Sequence, residues 1–76
     1  MFLEQVVAAT AHVMEIDSTH LTAETSFESL NADSVARIAI ADAVEVLNPD
    51  LAVSNDVLLF AATLGDLAAG VTRRAA

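Results

Sequence analysis

Cysteine is absent from the 76 residues, so neither a disulfide nor a cysteine-ligated zinc can staple the chain and its apolar core must hold it alone. Glycine and proline are nearly missing, with only Gly65, Gly70 and Pro49 to punctuate the sequence. That scarcity, with abundant alanine and a 55% hydrophobic composition, favours helices over a sheet. Positive charge is scarce too. Three basic against eleven acidic side chains leave a formal charge of −8, which opposes nucleic-acid phosphates and anionic membrane surfaces alike. No apolar run approaches the length of a membrane span, and Glu4 follows Met1 too closely for a secretion signal. The sequence therefore reads as one small domain over residues 1–76. It is expected to be cytoplasmic and monomeric, to bind neither nucleic acid nor membrane, and to be steered toward basic faces of larger proteins.

Along the chain, apolar residues recur at Phe2, Val6, Ala9 and Val13, a helical spacing that predicts a first helix ending near Ile16. Asp17-Ser18-Thr19-His20 is a cluster of turn formers. The segment from Leu21 to Asp33 is a long loop for so small a domain, with Leu21, Phe27 and Leu30 spaced to pin it across a helix pair. A second helix is predicted over Val35–Leu47, with Ala36, Ile40, Ala43, Val44 and Leu47 on its core face and Ile38 off it, among acids. Asn48-Pro49-Asp50 stops that helix and opens a connecting loop to Asn55. Asp56–Phe60 is short enough for one or two turns capping the core. Thr63-Leu64-Gly65-Asp66 resembles a capping box, and Leu64, Leu67, Ala68 and Val71 keep helical spacing up to Thr72-Arg73-Arg74. The expected fold class is all-α, a small three- to four-helix bundle with a long first loop.

Asp33-Ser34 stands where the loop tips into the second helix. Both side chains suit a helix cap, and a serine at such a corner also presents its hydroxyl to a partner, beside a helix end that favours an anion. Leu30-Asn31-Ala32-Asp33-Ser34-Val35 resembles the Leu-Gly-x-Asp-Ser-Leu attachment motif of the acyl and peptidyl carrier proteins. Leu59-Phe60-Ala61-Ala62-Thr63-Leu64-Gly65-Asp66-Leu67-Ala68 is similar to the Leu-Phe-x-x-Pro-Thr-Leu-x-x-Leu-Ala segment of carriers in polyketide and nonribosomal peptide synthesis, agreeing at Leu59, Phe60, Thr63, Leu64, Leu67 and Ala68. Asn31 replaces the motif glycine and is the side-chain-bearing residue that best tolerates a left-handed backbone. Ala62 replaces the proline of the second segment.

The resemblance covers nearly the whole chain. It implies a carrier that is not itself an enzyme, bearing 4′-phosphopantetheine from coenzyme A on Ser34 with Asp33 as its motif neighbour, and holding acyl or aminoacyl groups as thioesters. The implied partners are a phosphopantetheinyl transferase, a loading enzyme, and synthase, condensation or tailoring enzymes, docking on Val35, Ile38, Asp42 and Glu45. Fatty-acid carriers resemble one another in placing acids soon after the serine. This chain has Ala36, Arg37 and Ala39 there, which points to a specialised pathway instead, with Arg37 adding repulsion toward a basic partner. The rival from another class is a non-enzymatic acidic helical interaction module without a prosthetic group, in which Asp33-Ser34 is only a cap. A Ser-His-Asp hydrolase lacks a nucleophile elbow, and His12 and His20 are separated by an expected helix end, so neither catalysis nor a metal site is expected.

Overall fold

The computed structural model describes residues 2–74. Helix α1 spans Leu3–Met14 and buries Val6, Ala9 and Thr10, whose hydroxyl donates to the Val6 carbonyl at 2.8 Å so that no bare polar group enters the core. It stops two residues short of the expected Ile16, because Glu15 turns into the left-handed region (φ 56°) and its N–H closes back on the Ala11 carbonyl. Asp17 then caps a single 3-10 turn, Ser18–His20, accepting the Thr19 N–H at 2.9 Å.

The long loop is ordered by the apolar anchors its sequence provides. Leu21 is buried, Phe27 is fully buried and Leu30 is half-buried. Backbone bonds complete the attachment. Phe27 N–H donates to Ala62 O at 3.0 Å, Leu64 N–H to Thr25 O at 3.0 Å and Gly65 N–H to Ala23 O at 2.9 Å, tying the loop to the segment that enters the last helix. Each bond satisfies a backbone group that an irregular buried segment would otherwise leave unpaired.

Helix α2, Ser34–Leu47, buries Ile40, Ala41 and Val44. Leu47, expected on the core face, is instead 54% exposed, since the last turn of α2 runs past the packed region before Asn48 and Pro49 end it. Helix α3 (Asn55–Phe60) is the short piece expected. Helix α4 (Leu64–Ala69) opens on the anticipated capping box: Thr63 Oγ1 accepts the Asp66 N–H and the Asp66 carboxylate accepts the Thr63 N–H. Val6 and Ala9 from α1, Ile40 and Val44 from α2, and Leu64 and Leu67 from α4 meet around Phe27 to form the core.

The all-α expectation is corrected by two short strands. Strand β1 (Leu51–Val53) pairs antiparallel with β2 (Val71–Arg73), in the register Leu51 with Arg73, Ala52 with Thr72 and Val53 with Val71. The sequence predicts a connecting loop for the first and the end of a helix for the second. Gly70 is the reason for the second difference. Its N–H closes on Leu67 O at 2.9 Å, ending α4, and β-branched Val71 and Thr72 then suit an extended pair. Arg73 and Arg74, expected in a closing helical turn, fasten this sheet: Arg73 pairs with Asp50 at 3.0 Å, and Arg74 donates to Leu51 O at 3.0 Å and reaches Glu45 at 3.4 Å. These exposed pairs add little energy. The backbone bonds and the buried Leu51 and Val71 hold the hairpin. Among the described residues, no helix is long and apolar enough to cross a membrane.

Candidate functional site

The corner leading into α2 is built from the core outward. Phe27 anchors it from below, and its carbonyl accepts the N–H groups of Leu30 at 3.2 Å and Ala32 at 2.9 Å, closing a compact turn over the buried ring. Asn31 completes that turn with φ 55°, the left-handed backbone its place in the sequence predicted. Ala32 is buried, so the chain pivots there and sends Asp33, Ser34 and Val35 outward.

Asp33, not Ser34, is the helix cap. Its backbone is extended and its Oδ1 accepts the Ala36 N–H at 2.8 Å, while Ser34 is the first residue of the helix proper. The two readings of Asp-Ser at a helix start therefore separate onto two residues. Ser34 is exposed, and among the described residues its hydroxyl has no hydrogen-bond partner. Removing that hydroxyl thus costs no capping bond. Ser26 and Ser29 differ: the Ser26 hydroxyl accepts the Ser29 N–H and the Ser29 hydroxyl donates to Ser26 O, so both are engaged in a turn. Ser18 lies in the 3-10 turn on another face, and Ser54 precedes α3.

Ser34 stands at one end of an apolar groove between α2 and α3. The space beside it, about 230 Å³, is lined by Ser34, Arg37, Ile38, Leu58 and Leu59. It continues into a larger space of about 430 Å³, which shares Ile38, Leu58 and Leu59 and extends along α2 past Ala41 and Asp42 to Glu45, with Val53 and Asn55 across from them. A rise of about 1.5 Å per helical residue separates Ser34 from Asp42 by roughly 12 Å along α2.

The groove opens onto an exposed apolar surface. Ile38 (52% exposed) and Leu59 (72%) line the groove and Val35 (73%) adjoins Ser34 in sequence, while Phe60 (84%) lines a separate space with Asp56, Val57, Ala61 and Asp66, and Val46 and Leu47 are exposed at the far end of α2. Of the residues expected to dock partners, Val35, Ile38 and Asp42 are exposed. Glu45 is half-buried: its Oε2 accepts the Val53 N–H at 2.9 Å and its Oε1 faces Arg74, so it braces β1 against α2. The sequence places Leu59 and Phe60 in a segment capping the core. Only Val57 and Leu58 pack against it, and Leu59 and Phe60 turn outward. Periodicity could not separate these roles in six residues, whereas the unusual run Leu58-Leu59-Phe60 was itself a signal of a sticky surface.

Arg37 is the other residue whose role changes. Its guanidinium is folded inward, donating from one terminal nitrogen to Ala61 O at 2.6 Å and lying over the Phe27 ring at 4.6 Å from the centroid. It is half-buried and joins α2 to the link between α3 and α4. The expectation of a freely solvated repulsive charge is therefore corrected.

His12 and His20 are both exposed, and among the described residues no three histidine, aspartate or glutamate side chains cluster as a metal site requires. The comparisons with known proteins add no relative: no family model, no curated protein and no solved structure matches the chain.

Proposed function

We propose that this protein is an acyl or aminoacyl carrier that bears 4′-phosphopantetheine on Ser34 and delivers thioester-bound intermediates to partner enzymes in a specialised biosynthetic pathway of the polyketide or nonribosomal peptide kind. One observation carries the reading: the Ser34 hydroxyl is exposed, without a bond among the described residues, and set at the mouth of an apolar groove, while its neighbour Asp33 takes over the capping. A serine present only for structure would have no reason to be relieved of that task.

The residues suit the group. In the attachment reaction the Ser34 oxygen attacks the pantetheine-side phosphorus of coenzyme A. An Oγ–P bond forms as the P–O bond to 3′,5′-ADP breaks, and the hydroxyl proton passes to a base of the transferase. The resulting phosphodiester stands in the first turn of a 14-residue helix, whose dipole favours the negative charge. The bound arm supplies the thiol that holds the cargo. The protein itself orients the arm, offers Ile38, Leu58 and Leu59 as an apolar surface along it, and raises the effective concentration of cargo at each partner it meets. No catalytic group is assigned to it.

Ile38 and Leu59 of the groove, with the exposed Val35 next to Ser34, form the surface on which partners dock, with Asp42 at its edge. No acid lies in the first turn of α2, so partners read this face chiefly by apolar contact rather than by a basic patch. A cytoplasmic location and a monomeric state belong to the same reading.

The test is covalent. Incubated with coenzyme A and a broad-specificity phosphopantetheinyl transferase, the protein gains one phosphopantetheinyl mass, peptide mapping places it on Ser34, and Ser34→Ala gains none while melting at the same temperature. Modification at Ser18, Ser26, Ser29 or Ser54, or none at all, refutes the proposal. The exposed apolar surface also favours a second reading, an interaction module without a prosthetic group. Under it, the protein stays unmodified, and Ile38→Asp weakens partner binding all the same.

A further inference from the structure

We infer that Arg37 is the counter-ion of the phosphodiester on Ser34, clamping the root of the arm over the groove between α2 and α3. The inference rests on the reading of Ser34 just given. Its starting observation is a shared wall: Ser34 and Arg37 line the same 230 Å³ space. They stand three residues apart on α2, a spacing that brings side chains onto one face of a helix within about 5–6 Å at their Cβ atoms.

The guanidinium is already held in place and only partly used. One terminal nitrogen donates to Ala61 O and the plane rests on Phe27, which fixes the side chain without consuming its other donors. Among the described residues, Nε and the second terminal nitrogen have no partner. A phosphodiester oxygen, two bonds beyond Ser34 Oγ, enters the space that Ser34 and Arg37 both line. Guanidinium is suited to such an anion because its planar fork can give two parallel hydrogen bonds.

Charge supplies the need for a cation here. The phosphodiester brings a negative charge within one residue of the Asp33 carboxylate, in a protein already at −8. Arg37 is the basic residue at this end of the molecule. Arg73 and Arg74 are committed to the hairpin, pairing with Asp50 and Glu45. A guanidinium held by Phe27 and Ala61 loses little further freedom on pairing, so a modest electrostatic gain is not consumed by ordering entropy.

The experiment compares wild type, Arg37→Lys and Arg37→Gln, each with and without the arm, loaded from coenzyme A by a broad-specificity transferase and checked by intact mass. For each variant the melting temperature is measured before and after loading. The staple to Ala61 and Phe27 is common to both states and cancels in that difference. At low salt, loading raises the wild-type melting temperature by about 2–5 °C relative to its effect on Arg37→Gln, with Arg37→Lys between them, and the advantage shrinks at high salt. In parallel, the ³¹P resonance of the loaded wild type shows a contact to the Arg37 guanidinium protons, and its position shifts in Arg37→Gln. Equal loading shifts in wild type and Arg37→Gln, with an unmoved ³¹P resonance, overturn the clamp while leaving the carrier reading intact. If Arg37→Gln does not fold, the ³¹P contact in wild type decides, and its absence overturns the clamp. A protein that takes up no phosphopantetheine overturns both.

Discussion

Replacing Gly70 with alanine should damage the protein through a single clash that reaches the candidate site. The backbone at Gly70 is ordinary (φ −92°, ψ 2°), so conformational freedom is not what requires glycine there. Space is. A Cβ on Gly70 would stand 2.5 Å from both Cβ and Cγ1 of Val57 and 2.8 Å from Cγ2, where carbon atoms rest at about 3.5–4.0 Å. Something must move by about 1 Å. Val57 cannot swing aside, because its branched side chain has few rotamers within a helix. Relief therefore requires α3 to shift as a body, and α3 carries Leu58 and Leu59, one wall of the groove beside Ser34. Overpacking of this kind costs about 1–3 kcal/mol, partly offset by about 0.4–1 kcal/mol because alanine restricts the unfolded chain. A net loss of about 1–2 kcal/mol corresponds to a fall of roughly 5–12 °C in melting temperature for a domain of this size. Urea unfolding followed by circular dichroism measures it. The decisive comparison is a cycle with Val57→Gly, which removes the Cβ as well as the two methyl groups in the way: the double variant should be more stable than the summed single effects by at least about 1 kcal/mol. Additive effects would show that Gly70 and Val57 do not collide, and the account of why α4 ends against α3 would fail.

Asn31 offers a backbone test of the corner that presents Ser34. Since it is exposed with φ 55°, Asn31→Gly should be nearly neutral, whereas Asn31→Val should cost about 1–2 kcal/mol and slow modification of Ser34; equal stabilities and rates in the two variants would refute the role of this turn. Asp66 ties stability to acidity. The Ala62 and Thr63 backbone N–H groups bonded to its carboxylate hold its pKa below the ordinary aspartate value. Because the folded pKa is the lower one, its contribution is present above the unfolded value and is lost as pH falls through the folded value. The gap in urea midpoint between wild type and Asp66→Asn should therefore be constant near neutrality and close below about pH 4, and a gap that persists in acid contradicts the assignment.

The exposed apolar residues after Leu58 follow from the way α3 is used. A six-residue helix has too few turns to present one fully buried and one fully solvated face, and here Val57 and Leu58 pack inward while Leu59 and Phe60 project from its last turn. Folding alone gains nothing from exposing a phenylalanine at 84%. Leu59, with Ile38 across the groove, forms an apolar wall beside Ser34, whereas Phe60 lines a separate space with Asp56, Val57, Ala61 and Asp66.

Much of this protein was legible in residue order, because local chemistry suffices for it. The spacing of Val6, Ala9 and Val13, the stop at Asn48-Pro49, the capping box at Thr63 and Asp66, and the left-handed turn at Asn31 depend on neighbours within a few positions, and each stands as expected within one or two residues. The exposure of Ile38 was likewise fixed by its angle around the helix. Tertiary structure decided what depends on distant partners. Leu51–Val53 and Val71–Arg73 are too short for a period of two to be read, and they become strands only because the fold brings segments 20 residues apart side by side. Arg37 reads as a solvated charge until the Ala61 carbonyl, 24 positions later, accepts its hydrogen bond and Phe27 lies beneath it. The same holds for the groove beside Ser34. Its near side is α2, which periodicity defines, but its far side is α3, and where α3 sits is settled by Val57 against Gly70, a contact that no local pattern encodes.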